Sequence, residues 1–408
     1  MQHTQKVVNS DDIDGDKLDI NRLKNQSFVN KEQISIEIFA KLCEQKTLPE
    51  NYPLALDIIQ KVPIYHAKHL RLFCEEEVLS LQCKAELNHA LKQGPGVIVI
   101  KGAFSDLNHI DDMSQIFDQI LEEESQNTLV GDHFAKAGSN SRIWNAFEKS
   151  ALKQADTFMH YYKNPLLQLV SESWLGPHYQ ITTQVNTVHP GGEAQSPHRD
   201  YHLGFQSTDE VSRFPLATQQ SSSLLTLQGA IAHTDMPIET GPTQILPFSQ
   251  HYPLGYLAWR ESAFKDYFEQ HAIQLPLDKG DAIFFSPALF HAAGSNKTSD
   301  QSRVANLLQI SSCFAKPMET VDQYAISQSL YPVIQAHWQT ALTKQEKSAL
   351  LNAICDGYSF PTNLDKDAPI GGMAPTTHAQ LTYQALEQNL AFEDYVTAIK
   401  TLQFKRTS

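Results

Sequence analysis

Apolar residues along the chain change their spacing four times. In residues 30–45 (NKEQISIEIFAKLCEQ) and 69–93 (HLRLFCEEEVLSLQCKAELNHALKQ) they recur every three to four positions, the period of an amphipathic helix. Gly94-Pro95-Gly96 ends that pattern, and VIVIKGAF at 97–104 is a short β-branched run that predicts a buried strand. Residues 109–124 return to helical spacing. From about 179 to 314 the period shortens: YQITTQVNTVH, SLLTLQGAIAHT, GDAIFFS and RVANLLQISSCF are strand-like runs separated by Pro, Gly and Ser. Many short strands with turn residues between them predict an antiparallel sandwich or barrel. Helical spacing reappears at 343–355 and 378–403, across a Pro- and Gly-rich loop at 359–377. The expected architecture is a mainly β core over residues 94–318, with an N-terminal helical extension over 1–93 and a C-terminal one over 319–408.

Composition narrows the partners. The 408 residues can bury a large core, and 46 acidic against 32 basic residues leave a net charge of −14. Such a field repels phosphate, and no basic run offsets it, so neither nucleic acid nor an anionic membrane surface is an expected partner. The expected partner is a small molecule; oligomeric state is open. Cys43, Cys74, Cys83, Cys313 and Cys355 are odd in number and form no CxxC pair. That pattern suits reduced thiols in a cytoplasm better than a disulfide framework or a Cys-type zinc site. The first residues lack the apolar run of a secretory signal, and no run approaches the roughly 18 apolar residues of a membrane helix. The acidic stretch 11–19 lacks the full EF-hand spacing and its terminal Glu, so the first ~20 residues read as a solvated, mobile tail.

The candidate chemistry lies in GGEAQSPHRDYHLGF at 191–205. His198 and Asp200 are two apart, so in an extended segment both side chains point to one face. An imidazole and a carboxylate completed by a second, distant imidazole form a facial triad, which binds Fe(II) and leaves positions open for co-substrate and O2. With 17 histidines in the chain, one H-x-D is weak on its own. His233-Thr234-Asp235 has the same letters, but the Met-Pro-Ile-Glu-Thr-Gly-Pro that follows reads as a turn capped by Asp235. His202 would share the face of His198 and Asp200 and is a further candidate, as a ligand or as a residue lining the pocket. The distant ligand is expected late and beside a strand, where His291 follows DKGDAIFFSPALF. Arg303 opens the next strand and can hold a carboxylate in bidentate fashion. A His-x-Asp, a late His and a following Arg are what a 2-oxoglutarate site needs: the keto acid chelates iron at one end and its far carboxylate requires a fixed cation.

These residues are ordered as in a known family. The chain resembles the phytanoyl-CoA dioxygenase family of Fe(II)/2-oxoglutarate-dependent oxygenases. HPGGEAQSPHRD resembles the approach to its H-x-D, and GPTQILPFSQH at 241–251 its G-P-x-x-x-x-P-G-S-H element, with Phe248 in place of Gly. GDAIFFSPALFHAAGSNKT at 280–298 is similar to its distal-His block, Arg303 falls where its 2-oxoglutarate arginine does, and VIVIKGAFSD resembles its opening strand. The resemblance spans roughly residues 95–315 and rests on the order of the blocks. It implies a double-stranded β-helix, the cupin-like jelly roll. Gln228 stands where family members often carry Trp, so the packing beside the co-substrate is expected to differ.

The resemblance further implies iron on His198, Asp200 and His291, 2-oxoglutarate held by Arg303, and a supporting hydrogen bond from Thr187. The expected reaction is hydroxylation of an unactivated C–H with decarboxylation of the keto acid to succinate. Asp200 argues against a halogenase, where halide needs the place of the carboxylate. For the substrate, Arg142 and Trp144 lie in an expected loop before the core, and Tyr201 and His202 directly follow the ligand Asp200. Two other readings share the jelly roll: a cupin-type metal enzyme without 2-oxoglutarate, and a non-catalytic binding module. The first has no need of Arg303, and the second no need of the triad and Arg303 together.

Overall fold

A computed structural model of the chain describes residues 20–125 and 140–407. The acidic stretch 11–19 and the first part of the 133–147 segment lie outside these residues. Among the described residues eleven strands form two sheets that face each other. They are β1 (Asp57–Ile59), β2 (Val62–His66), β3 (Val97–Lys101), β4 (Asn140–Ile143), β5 (Gln180–Val188), β6 (Thr226–Ala232), β7 (Gln244–Leu246), β8 (Ile273–Gln274), β9 (Ala282–Phe285), β10 (Phe290–Ala292) and β11 (Arg303–Ser311). The large sheet runs β1-β2-β3-β9-β6-β11-β5-β4, and the small one β10-β7-β8. All pairings are antiparallel except β2 with β3. This is the jelly roll, with strands contributed in the order that returns the chain repeatedly across both sheets.

Side-chain alternation gives the large sheet two functions. Along β11, Val304, Leu308 and Ile310 point to a helical layer, while Arg303, Ala305, Leu307 and Gln309 line a cavity between the sheets. The helical layer draws on both ends of the chain. Leu87 and Leu91 of the helix Glu77–Lys92, Met113 and Phe117 of Asn108–Ser125, Leu330 of Gln323–Trp338 and Ile399 of Phe392–Arg406 share one buried cluster with Ile231, Phe284 and Leu308 of the sheet. The terminal regions are thus continuous with the core rather than appended to it.

Two expectations change. The N-terminal region is not purely helical, because β1 and β2 extend the large sheet. Ile64 of β2 pairs with Val99, and Val62 joins the sandwich interior. Five residues with a proline among them are too few to show a period of two beside long helical runs. Arg142 lies on the edge strand β4 rather than in a loop. Among the described residues no helix is long and apolar enough to cross a membrane.

Phe248, the residue in place of glycine, takes a left-handed backbone (φ +69°), and its N–H donates to Pro95 O at 3.0 Å. Its ring is buried at 3% exposure. The backbone costs about 1–2 kcal/mol, whereas losing a buried phenyl ring costs about 3–5 kcal/mol. Phe248→Gly is therefore expected to lower stability by a net of about 2 kcal/mol, measured by urea unfolding; a gain would mean that the backbone term dominates.

Candidate metal centre

His198 and His291 come from separate segments that meet edge to edge. His198 N–H donates to His291 O at 3.0 Å, and His291 N–H to His198 O at 3.1 Å. Asp200 N–H continues the pairing to Pro287 O at 3.1 Å. On its other side β10 pairs with β7, placing Ile245 opposite His291. His198 and Asp200 both line the cavity, whereas the Arg199 guanidinium turns to Ser249 O and Tyr252 O.

Each imidazole is oriented by its own backbone. His198 Nδ1 lies 2.9 Å from Ser196 O, and His291 Nδ1 2.8 Å from Leu289 O. A carbonyl oxygen only accepts, so each Nδ1 carries a proton and each Nε2 is turned toward Asp200. His198 Nε2 is 3.6 Å from Asp200 Oδ1, and His291 Nε2 is 3.4 Å from Asp200 Oδ2. One donor atom from each of the three lies within 4.8 Å of the others. Burial favours the neutral acid at Asp200, but the two rings and the Gln228 amide outweigh it and hold the carboxyl well below the usual range. Burial also pushes His198 down, aided by His291 and opposed by Asp200. Two imidazole nitrogens and a carboxylate oxygen at this spacing fit a hard-to-borderline divalent ion such as Fe(II).

The surrounding cavity has a volume of about 500 Å³. Arg303 stands in its wall at 6% exposure, and its Nη1 is buried with no hydrogen-bond partner among the described residues. Burial brings its pKa down to about 10, so it remains a cation near neutral pH. A buried cation facing an open cavity suits a carboxylate ligand, which is the fit that 2-oxoglutarate requires. Arg142 also lines the cavity. Its Nη1 donates to Gln184 Oε1 at 2.7 Å, and its guanidinium lies 5.1 Å from the Trp144 ring. Trp144 backs Arg142 and is not part of the wall.

Three expectations are corrected. Thr187 faces the helical side of β5, beside His233 and Phe117, because Gln184 and Asn186 take the cavity positions of that strand. His202 does not share the ligand face, and neither it nor Tyr201 lines the cavity. Both take left-handed backbones (φ +64° at Tyr201, +41° at His202), which break the alternation after Asp200. His202 instead meets Lys316 O at 3.3 Å and Ser222 Oγ at 3.4 Å.

Two residues here carry roles the pattern did not suggest. Gln228 faces the cavity and donates to Asp200 Oδ2 at 2.5 Å, fixing the carboxylate. Arg199 is buried and donates from Nη2 to Ser249 O at 2.6 Å and Tyr252 O at 3.0 Å. Its guanidinium also lies over Tyr256 and Phe290. The signal for Arg199 was available: the middle residue of an extended H-x-D must face away from the metal, so a charge there has to find partners inside the sandwich.

The second H-x-D is structural. His233 Nε2 meets Tyr161 Oη at 2.9 Å, and its Nδ1 meets Ser114 Oγ at 2.8 Å. Burial, with Lys279 assisting against Asp111, pushes His233 down to about 3, and burial does the same to His378. An unfolded histidine titrates near 6.5, so the unfolded chain takes up these protons first. Stability is expected to be full above about pH 6.5 and to fall as pH drops toward 3. His233→Gln should flatten part of that slope in urea midpoints against pH and leave metal affinity unchanged; a loss of metal would assign the site to the wrong pair.

The geometry agrees with comparisons to known proteins. The family model for phytanoyl-CoA dioxygenase (PhyH) matches residues 93–305. The chain is 24% identical over 215 residues to dioxygenase trt7 of Aspergillus terreus, covering 52% of this chain and 68% of that protein. It is 22% identical over 281 residues to dioxygenase cdmD of Talaromyces verruculosus, covering 63% and 85%. Among solved structures it is similar to the non-heme alpha ketoglutarate dependent epimerase SnoN from nogalamycin biosynthesis, at 15% identity and a TM-score of 0.41, over 58% of this chain and 84% of that one. With half the chain under the family match, from β3 to β11, the protein belongs to the phytanoyl-CoA dioxygenase family and is an iron- and 2-oxoglutarate-dependent dioxygenase.

Proposed function

We propose that this dioxygenase hydroxylates an unactivated C–H bond of a small molecule carrying an anionic or strongly hydrogen-bonding group. The oxidant is O2: with iron and 2-oxoglutarate bound, one of its oxygen atoms would go to the substrate and the other to the keto acid, which would leave as succinate with loss of carbon dioxide. The chain's own residues do the positioning. His198, Asp200 and His291 hold the metal on one face, and Gln228 keeps the Asp200 carboxylate turned toward it. Arg303 takes the distal carboxylate of the co-substrate. The observation that carries this reading is the buried, unpartnered Nη1 of Arg303 in the same cavity as the triad.

The substrate class is supported by the other wall. Arg142 and Gln184 offer a fixed polar pair, while Phe205, Trp259 and Met318 supply apolar contact. Apolar walls exclude water and hold a carbon skeleton, and the polar pair sets its orientation. A cytoplasmic setting is supported by five free cysteines with no disulfide.

Anaerobic Fe(II) with 2-oxoglutarate is expected to give a weak visible charge-transfer band that vanishes in His198→Ala. No band and no succinate from the wild type would overturn the reading. Arg303→Ala should keep iron and weaken 2-oxoglutarate binding by about 2–5 kcal/mol, read as the band's midpoint in a co-substrate titration; unchanged affinity would mean that another cation holds the carboxylate. Succinate release across a metabolite panel identifies the substrate. Arg142→Leu should raise KM for an anionic substrate while uncoupled 2-oxoglutarate turnover persists.

A further inference from the structure

A second group of ligating side chains lies on the helical side of the large sheet. Asp156 and His160 stand one turn apart on the helix Ala155–Tyr162, and His337 lies near the end of Gln323–Trp338. One donor atom from each lies within 4.8 Å of the others. His160 Nε2 is 3.9 Å from Asp156 Oδ1, and the two imidazole rings are 6.0 Å apart. His109, from Asn108–Ser125, brings a third ring to 5.4 Å from His160.

The protonation pattern leaves donors free. His337 Nδ1 lies 3.0 Å from Val333 O, so that nitrogen carries the proton and Nε2 keeps its lone pair. His160 Nδ1 is buried and has no hydrogen-bond partner. Burial, then Lys163, outweigh Asp156 and push His160 below its ordinary pKa, with His109 and His337 adding to the effect. The nearby cation Lys163 is itself engaged by Glu346 at 3.1 Å. Asp156 is exposed and His160 is half-buried, so the cluster opens to solvent.

We propose that Asp156, His160 and His337 form a second metal site, separate from the catalytic triad, that takes a divalent ion of the zinc class. Two imidazoles and one carboxylate are the donors such an ion prefers, and they leave room for water in a fourth position. The bound ion cross-links the helix Ala155–Tyr162, which packs on the jelly roll, to the helix Gln323–Trp338 of the C-terminal region. Its role is structural, since it coordinates nothing in the cavity.

Zinc titration of the metal-free protein against a chromophoric chelator counts the sites. The wild type is expected to take two equivalents, and the triad variant His198→Ala/His291→Ala one. Asp156→Asn/His160→Gln is expected to take one, at the triad, and to keep its iron-dependent 2-oxoglutarate turnover. Zinc should raise the Tm of the triad variant and leave that of the protein carrying all four substitutions unmoved. The proposal fails if the triad variant binds no zinc, or if the cluster variant still takes two equivalents. His337→Gln repeats the test from the other helix should the first cluster variant not fold.

Discussion

Everything in the active centre depends on two backbone hydrogen bonds between His198 and His291. They set two segments from distant parts of the chain edge to edge. Because the first is extended, His198 and Asp200 share one side. Because the second pairs on its far edge with β7, the position of His291 is inherited from the small sheet. Each ring is then turned by a carbonyl two residues before it, Ser196 O for one and Leu289 O for the other. No side chain beyond this frame is needed to point the nitrogens inward. Gln228 does the same for the carboxylate from the opposite sheet. The site is thus a property of how the two sheets face each other.

Two of the buried arginines, Arg199 and Arg303, differ in whether their charge is already partnered. Burial lowers both to about 10, so both remain charged near neutral pH. Arg199 spends its Nη2 on two carbonyls and its faces on Tyr256 and Phe290. It ties the segment after β7 to the underside of the ligand strand. Gly255 is required by the same contact, since a Cβ there would lie 1.9 Å from Arg199 Cζ. Arg303 leaves Nη1 buried and unpartnered beside open volume. A buried charge without a partner is costly, and a ligand that supplies the missing anion recovers that cost on binding. The same residue type therefore holds the scaffold in one place and faces open volume in another, where the proposed reading seats the co-substrate.

Much of this was legible along the chain. Short runs with turn residues between them marked the sandwich, and the order of the blocks marked His198, Asp200, His291 and Arg303. Phe248 in a glycine position was visible as a departure, and its left-handed backbone shows that the turn was kept while the residue changed. What failed concerns side-chain direction. Thr187 was named from the resemblance and not from its face, and Gln184 and Asn186 hold the cavity side of β5. His202 was placed by alternation and Tyr201 by adjacency to Asp200, and neither holds because both take left-handed backbones.

The sequence by itself determined the chemistry of the protein: which donors it carries, in what order, and that an arginine follows the last of them. Those are properties of residue type and spacing, and they survive any uncertainty in the fold. The tertiary structure supplied the reason that only one of two identical H-x-D letter patterns meets a third donor. His233 is enclosed by Tyr161 and Ser114 on the helical side, and His198 faces open volume on the other. It also decided that the terminal regions are part of one core, and that Asp156 and His160 meet a histidine from far along the chain. The physical reason is that side-chain direction follows local backbone geometry, whereas which groups share a space depends on sheet pairing and helix packing between segments remote in sequence.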